Sequence, residues 1–299
     1  YIIMIGIISH DAGGAEILSS YVLHQKNLKF SYALEGPAIN IFEQKLGSLK
    51  IENYQKVVKQ SSKILCSTSW ESNLEFNAIK LSNSFGKYSV ALLDHWVNYK
   101  ERFIRLDQII LPNAIWVSDS IAKDLAEKIF TNNPIRLINN FFLEDIRKEL
   151  NLNRLSNNIA TTSSILYVCE PIRKHAQLQH GDETYWGYTE ETALRYFLSN
   201  IDSLRLVLEK IIIRSHPSES KNKYHWLLDE FRLPIEFSNG KSLVEDISAS
   251  DIIVGCESMA LVVGLLAEKR VISSIPPGGR GCSLPHRDIE IFQNIVHKK

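Results

Sequence analysis

Asp251–Ser273 reads DIIVGCESMALVVGLLAEKRVIS and holds one full structural cycle. Asp251–Val254 is a short β-branched run closed by a glycine, the pattern of a buried strand. Gly255-Cys256-Glu257 forms a turn, and Ser258 is a residue favoured at a helix start. Ser258–Ala267 carries the helix, and Val271–Ile275 is the next strand. A strand that reaches another strand through a helix of this length makes a parallel βαβ unit.

The same cycle repeats outward in both directions. Upstream, Ile165–Cys169 is a strand, Glu190–Asn200 a helix, Glu209–Arg214 a strand centred on Ile211–Ile213, and Tyr224–Phe231 a helix. Ile235–Phe237 and Leu243–Ser248 follow as strand and helix, and a closing helix is expected over Ile289–His297. In the front half, strands are expected at Ile2–Ile8, Phe30–Leu34, Ser62–Cys66, Tyr88–Leu93, Ile115–Ser118 and Ile135–Ile138. Helices alternate with them at Ala15–Gln25, Ile39–Lys45, Leu74–Ser84, Ile121–Phe130 and Leu143–Leu150. Between the halves, Asn151–Thr162 reads NLNRLSNNIATT, with four Asn, no aromatic residue and no periodicity. It sets a boundary between residues 1–155 and 156–299. The expected fold class is therefore α/β: two Rossmann-like α/β/α domains facing a central cleft, with ligands beyond the carboxyl ends of the strands.

Composition removes several function classes. In 299 residues, 34 Lys and Arg balance 34 Asp and Glu, so bulk-charge binding of nucleic acid is not expected. A hydrophobic share of 44% is too high for wholesale disorder. No run approaches the roughly 18 apolar residues of a membrane span. Tyr1–Ile8 lacks the basic start and cleavage site of a secretory signal. Cys66, Cys169, Cys256 and Cys282 form no C-x-x-C pair. They read as reduced thiols of a cytoplasmic protein, with neither a disulfide framework nor a zinc site.

Chemistry is expected in the loops after the strands. Ser9–Glu16, SHDAGGAE, pairs His10 with Asp11 and adds Gly13 and Gly14, which allow close backbone approach; a plain turn with Asp11 as helix cap is the simpler alternative. It is not G-x-G-x-x-G, so no dinucleotide site is supported. In Leu93–Phe103, Asp94 and His95 can act as base and orienter, and Trp96 and Tyr99 can stack on a sugar ring; the alternative puts the aromatics in the core. In Ile211–Ser220, a strand delivers Arg214 and His216 to its end. Pro217 is expected to open a helix there, which together with His216 and Ser218 suits a phosphate. In the Asp251–Ala260 segment, Glu257 can accept two ribose hydroxyls and Ser258 can donate to phosphate. Glu170, after its own strand, is placed to meet a base or phosphate. Pro276–Arg287 is a Gly- and Pro-rich loop whose Arg280 and Arg287 can meet negative charge. His175, His180 and Asp182 match no zinc spacing, and no metal is expected.

Ile211–Ser220 and Asp251–Ser274 together resemble the second domain of GT-B glycosyltransferases. His216-Pro217 is similar to the motif by which bacterial sialyltransferases and related Kdo transferases hold the phosphate of CMP. Glu257-Ser258 stands where those families often carry a Ser/Thr pair, and Glu257 matches the acidic ribose-binding residue of many UDP- and GDP-dependent members. Asp11-Ala12-Gly13 is the nearest spelling to the acidic motif that holds the sialyltransferase base.

The resemblance implies a metal-independent, cofactor-free transfer of a CMP-activated nonulosonic acid (sialic-, pseudaminic- or Kdo-like) to a bacterial surface glycan such as capsule or lipopolysaccharide. Asp11, assisted by His10, is the first choice of base, and Asp94 with His95 the second. Gly13, Gly14, Glu170, Arg214, His216, Pro217, Ser218, Glu257, Ser258 and Arg280 are the implied donor-binding residues. The implied partners are a nucleotide sugar and a glycan or lipid-linked glycan acceptor. The implied location is the cytoplasm, with peripheral contact to the inner membrane if the acceptor is lipid-linked. The alternatives are a UDP- or GDP-sugar transferase, a sugar-nucleotide epimerase or hydrolase of the same fold, and a non-catalytic glycan-assembly subunit.

Overall fold

A computed structural model describes residues 3–69, 72–152, 162–220 and 222–297. It divides into two compact units, Tyr1–Glu144 and Asp145–Lys299. Most of the boundary expected at Asn151–Thr162 lies outside the described residues, and the division itself falls a few residues earlier, within a helix.

In chain order the first unit comprises β1 (Met4–Ser9), α1 (Ala12–His24), β2 (Lys29–Leu34), α2 (Pro37–Leu46), α3 (Tyr54–Gln60), β3 (Lys63–Cys66) and α4 (Leu74–Ser84). It continues with β4 (Tyr88–Leu92), the short hairpin β5 (Ile104–Arg105) and β6 (Gln108–Ile109), β7 (Ala114–Val117), α5 (Ser120–Ile129), β8 (Ile135–Leu137) and α6 (Phe141–Leu152). Six strands form one parallel sheet in the order β2-β1-β3-β4-β7-β8. Successive side chains on a strand point to opposite faces, so each strand feeds two cores. Ile8, Ile64, Cys66, Ala91 and Ile115 pack into one, and Ile7, Leu65, Val90, Leu92 and Ala114 into the other. Burial on both faces is why these strands are near-continuous apolar runs.

The second unit comprises β9 (Ser163–Val168), α7 (Ile172–His180), α8 (Glu190–Ser199), β10 (Leu208–Arg214), α9 (Leu227–Glu230), β11 (Ile235–Phe237) and α10 (Leu243–Ser248). It ends with β12 (Ile252–Gly255), α11 (Met259–Leu266), β13 (Arg270–Ser273), β14 (Ile289–Ile291) and α12 (Phe292–Val296). Its parallel sheet runs β11-β10-β9-β12-β13-β14, the Rossmann order in which the chain reverses direction at its first strand. Ile165, Tyr167, Ile211, Ile213, Val254 and Ile272 line one core face.

Three expectations are corrected. The closing segment begins as a strand, β14, which pairs with β13 before α12 starts at Phe292. Pro217 opens no helix: residues 217–219 form a turn closed by Glu219 N–H on the His216 carbonyl at 2.9 Å, and regular helix resumes only at Leu227. Residues after Glu170, expected as loop, form the nine-residue α7. Among the described residues, no helix is long and apolar enough to cross a membrane.

Candidate functional site

In each unit the sheet has one point where strand order reverses, and ligands of such sheets bind beyond the strand ends there. In the first unit this point lies between β1 and β3. Asp11 occupies the cap position of α1, yet its side chain makes no capping hydrogen bond. Instead Oδ1 lies 2.7 Å from His10 Nδ1 and accepts from Ser69 Oγ at 2.7 Å. A carboxylate only accepts, so the tautomer that fits this contact has its proton on His10 Nδ1 and a lone pair at Nε2. That nitrogen lies over Gly36, whose φ is +54°; a Cβ there would sit 2.7 Å from it. The His10 backbone N–H donates to Glu75 Oε1 at 2.8 Å, and Ser67 Oγ donates to the same oxygen at 2.8 Å. Burial pushes the Glu75 carboxyl up to about 7; the nearby Asp11 charge adds to this, while the Ser67 and His10 hydrogen bonds oppose it.

The loop after β4 contributes Asp94, whose Oδ1 accepts from Arg102 Nη1 at 2.7 Å. Both side chains are about nine-tenths buried, at 10% and 9% exposure, and Arg102 also donates to Thr68 Oγ1 at 2.8 Å. A Cβ on Gly13 would lie 2.3 Å from Asp94 Oδ2, and one on Gly14 would lie 2.4 Å from Ser67 Cβ. The close approach that these glycines permit is thus to the unit's own Asp94 and Ser67. Trp96 and Tyr99 are corrected: Tyr99 is buried in the core, and Trp96 packs against that core and donates from Nε1 to Asp119 at 3.0 Å. Asp94 faces Arg102, and His95 meets the Trp96 ring edge-on.

In the second unit the reversal lies between β9 and β12. β10 and β12 flank β9, so the His216 and Glu257 turns leave strands about 10 Å apart at the same end of the sheet. Glu170 joins two loops: its Oε1 accepts the N–H of Cys256 at 3.0 Å and of Glu257 at 2.9 Å. Desolvation pushes Glu170 up to about 7, with the Glu257 charge adding and the amide hydrogen bonds opposing. Glu257, buried, holds Arg280 on Oε1 and accepts the Ser283 N–H on Oε2 at 3.1 Å. Arg280 also lies over the Trp186 ring, 3.9 Å from its centroid. Ser258 caps α11, its Oγ accepting the Ala260 N–H at 3.1 Å.

His216 Nδ1 accepts the Ser218 N–H at 3.2 Å and lies 2.8 Å from Ser218 Oγ. A backbone N–H can only donate, so the neutral ring carries its proton on Nε2. Burial lowers the His216 pKa; Glu219 opposes this, and the positive charges of His175 and Lys174 add to it. Arg214, expected at the donor, is committed elsewhere: Nη1 donates to Asp246 at 2.6 Å, to Ser238 Oγ at 3.1 Å and to the Lys241 carbonyl at 3.0 Å. Among the described residues, no group of three or more His, Cys, Asp or Glu is placed to hold a metal ion. All four cysteines are free thiols, and only Cys282 is not fully buried.

No family model and no curated protein sequence matches the chain. In structure it is similar to UDP-GlcNAc 2-epimerase from Neisseria meningitidis bound to UDP-GlcNAc, with TM-score 0.62 and 10% identity over 99% of this chain and 90% of that one. It is likewise similar to UDP-GlcNAc 2-epimerase from Methanocaldococcus jannaschii, with TM-score 0.59 and 12% identity over 91% and 83%. The chain has the GT-B fold, built of two Rossmann-like units. An alpha/beta-galactoside alpha-2,3-sialyltransferase from Photobacterium phosphoreum superposes at TM-score 0.48, with 10% identity over 98% of both chains, too loosely to refine this.

Within this GT-B chain, His10, Asp11 and Asp94 gather in the first unit, where Asp94 meets the Gly13 backbone. Glu170, Glu257, Ser258 and Arg280 gather in the second, with His216 and the exposed Pro217 and Ser218 on the neighbouring strand end. Sequence reading missed Glu75 and Arg102. Glu75 stands 65 residues from the His10 amide that it holds. Nothing in the spacing of either residue marks it; only their positions after strand ends hint at a role.

Proposed function

We propose that this protein is a glycosyltransferase acting on a nucleotide sugar, with a CMP-activated nonulosonic acid as donor and a bacterial surface glycan, free or lipid-linked, as acceptor. The observation that carries the reading is His216: its Nε2–H is free of the Ser218 contact, and Lys174 and His175 lie close enough to act on it electrostatically. Three cationic or donor groups, His216 after β10 and Lys174 and His175 on α7 after the neighbouring β9, suit a phosphate leaving group and make a metal unnecessary to the reading.

The acceptor hydroxyl needs a base. The His10–Asp11 geometry favours Nε2 of His10, with Asp11 fixing the tautomer and orienting the ring. This exchanges the roles expected from sequence. Asp94 is the second candidate because its carboxylate is paired with the buried Arg102. In the first unit His10 is suited to take the proton of an acceptor hydroxyl as its oxygen bonds the anomeric carbon; in the second, His216 is suited to donate to the phosphate that leaves as the glycosyl–phosphate bond breaks. The nucleotide donor suggests action in the cytoplasm.

A second reading, epimerisation or hydrolysis of a UDP-sugar, is favoured by the likeness to two UDP-GlcNAc 2-epimerases. A thermal-shift screen against CMP, CDP, UDP and GDP separates the donors. A nucleotide at 100 times its Kd adds about 2.7 kcal/mol of stability, and CMP is expected to stabilise most. A clear UDP or GDP preference sinks the CMP-activated donor and leaves a UDP- or GDP-sugar transferase beside the second reading, whereas product formed from donor without acceptor sinks the transferase reading in favour of the second.

A further inference from the structure

The first unit holds a carboxyl that the chemistry above does not use. Glu75, on the first turn of α4, is 3% exposed. Oε1 is occupied by the His10 N–H and the Ser67 hydroxyl, whereas Oε2 is buried with no hydrogen-bond partner among the described residues. A buried carboxylate oxygen without a donor is costly unless it carries a proton. Packing does not require an acid here, since the helix buries Leu74, Phe76, Ala78 and Ile79 beside it.

We propose that Glu75 is a positioning residue for the His10–Asp11 pair: Oε1 fixes the peptide that carries the pair, and Oε2 is a proton-holding site whose charge acts on the His10 ring. The inference rests on the reading of His10 as base. Among the described residues, the titratable or charged groups that act on Glu75 include Asp11 from the turn after β1, Cys66 on β3 and Arg105 on β5, while His10 meets it through its backbone N–H. Burial holds Glu75 at about 7, so it exchanges its proton in the neutral range. Loss of that proton places a negative charge beside His10, which favours the imidazolium and makes Nε2 a stronger base.

The test is NMR titration of the substrate-free protein and its Glu75→Gln variant from about pH 5 to about pH 9, following the His10 amide and ring. In the wild type the His10 amide is expected to shift through an inflection near the pKa of Glu75. In the variant that inflection disappears from both the amide and the ring of His10. A wild-type amide that does not move across the neutral range overturns the proposal, as does an identical ring titration in the two proteins. If the variant does not fold, the wild-type amide decides alone. Donor turnover is measured separately: a shifted His10 titration without turnover leaves Glu75 in its role and removes the glycosyltransferase reading, while turnover with an unshifted titration removes Glu75 alone.

Discussion

The Glu170 carboxylate accepts the backbone N–H of Glu257 at 2.9 Å, so an amide that opens toward the end of β12 is already satisfied from within the chain. The Cys256 N–H is held by the same oxygen. A donor phosphate therefore does not find these two amides vacant, in keeping with the proposal that it meets His216 instead. Glu170→Ala is expected to strip both amides of their partner and cost about 1–3 kcal/mol in urea unfolding. It also opens an anion site: inorganic phosphate should raise the melting temperature of the variant more than that of the wild type. Equal responses to phosphate would mean that the amides are not competent to bind an anion.

Two raised carboxyls set the sign of the stability profile. Glu75 and Glu170 both move from an ordinary 4.5 to about 7 on folding, so the native state holds protons that the unfolded chain has released. Their contribution is fully present below about pH 4.5 and is lost as pH rises through about 7. Urea midpoints should therefore fall between mildly acidic and mildly basic buffer. Glu75→Gln should flatten the profile by on the order of 3 kcal/mol at most, the value of its displacement at about 1.4 kcal/mol per pH unit. A wild-type profile that rises over this range would contradict the burial of both groups.

Much of this architecture was legible because parallel sheets buried on both faces write long apolar runs. Ile211–Ile213 and Ile252–Val254 show this, and both are strands in the observed registers. The elements that escaped have little apolar signal. α7 buries only Ile172 and Ala176, and α3 only Val57 and Val58. β14 is three residues at a sheet edge whose Ile289 and Ile291 also suit a helix start. His10, Asp11 and His216 stood out as candidates because they follow strands directly. Glu75 and Arg102 could not, because their partners come from other loops. Arg214 shows the complementary limit: an Arg at a strand end looks ready for a ligand, and only folding brings Asp246 to it.

Gly36 should be intolerant of a side chain for two independent reasons. Its φ of +54° disfavours any L-residue, and an added Cβ would meet His10 Nε2 at 2.7 Å. Gly36→Ala is expected to cost about 1–2 kcal/mol and to push the His10 ring from its place over the loop. Donor turnover should fall further than that loss of stability explains, by roughly tenfold or more. Full activity in a folded Gly36→Ala protein would show that this nitrogen of His10 is not the base.

Arg214 and His216 stand two residues apart, yet their substitutions should separate cleanly. Arg214 is bound to Asp246, which is 1% exposed, so Arg214→Ala leaves a buried carboxylate without its cation and should cost about 3–5 kcal/mol. Donor affinity in the protein that remains folded should change little, because the guanidinium is turned to Ser238 and Lys241. His216→Ala removes a ring whose described hydrogen bonds are to Ser218, so its effect on stability should stay within about 0.5 kcal/mol. The lost bond to a phosphate is worth about 1.5–3 kcal/mol, or roughly tenfold to a hundredfold in Kd for CMP by calorimetry. The reverse pattern, a stable Arg214→Ala protein that no longer binds nucleotide, would move the phosphate contact from His216 to the arginine and break the assignment on which the donor site depends.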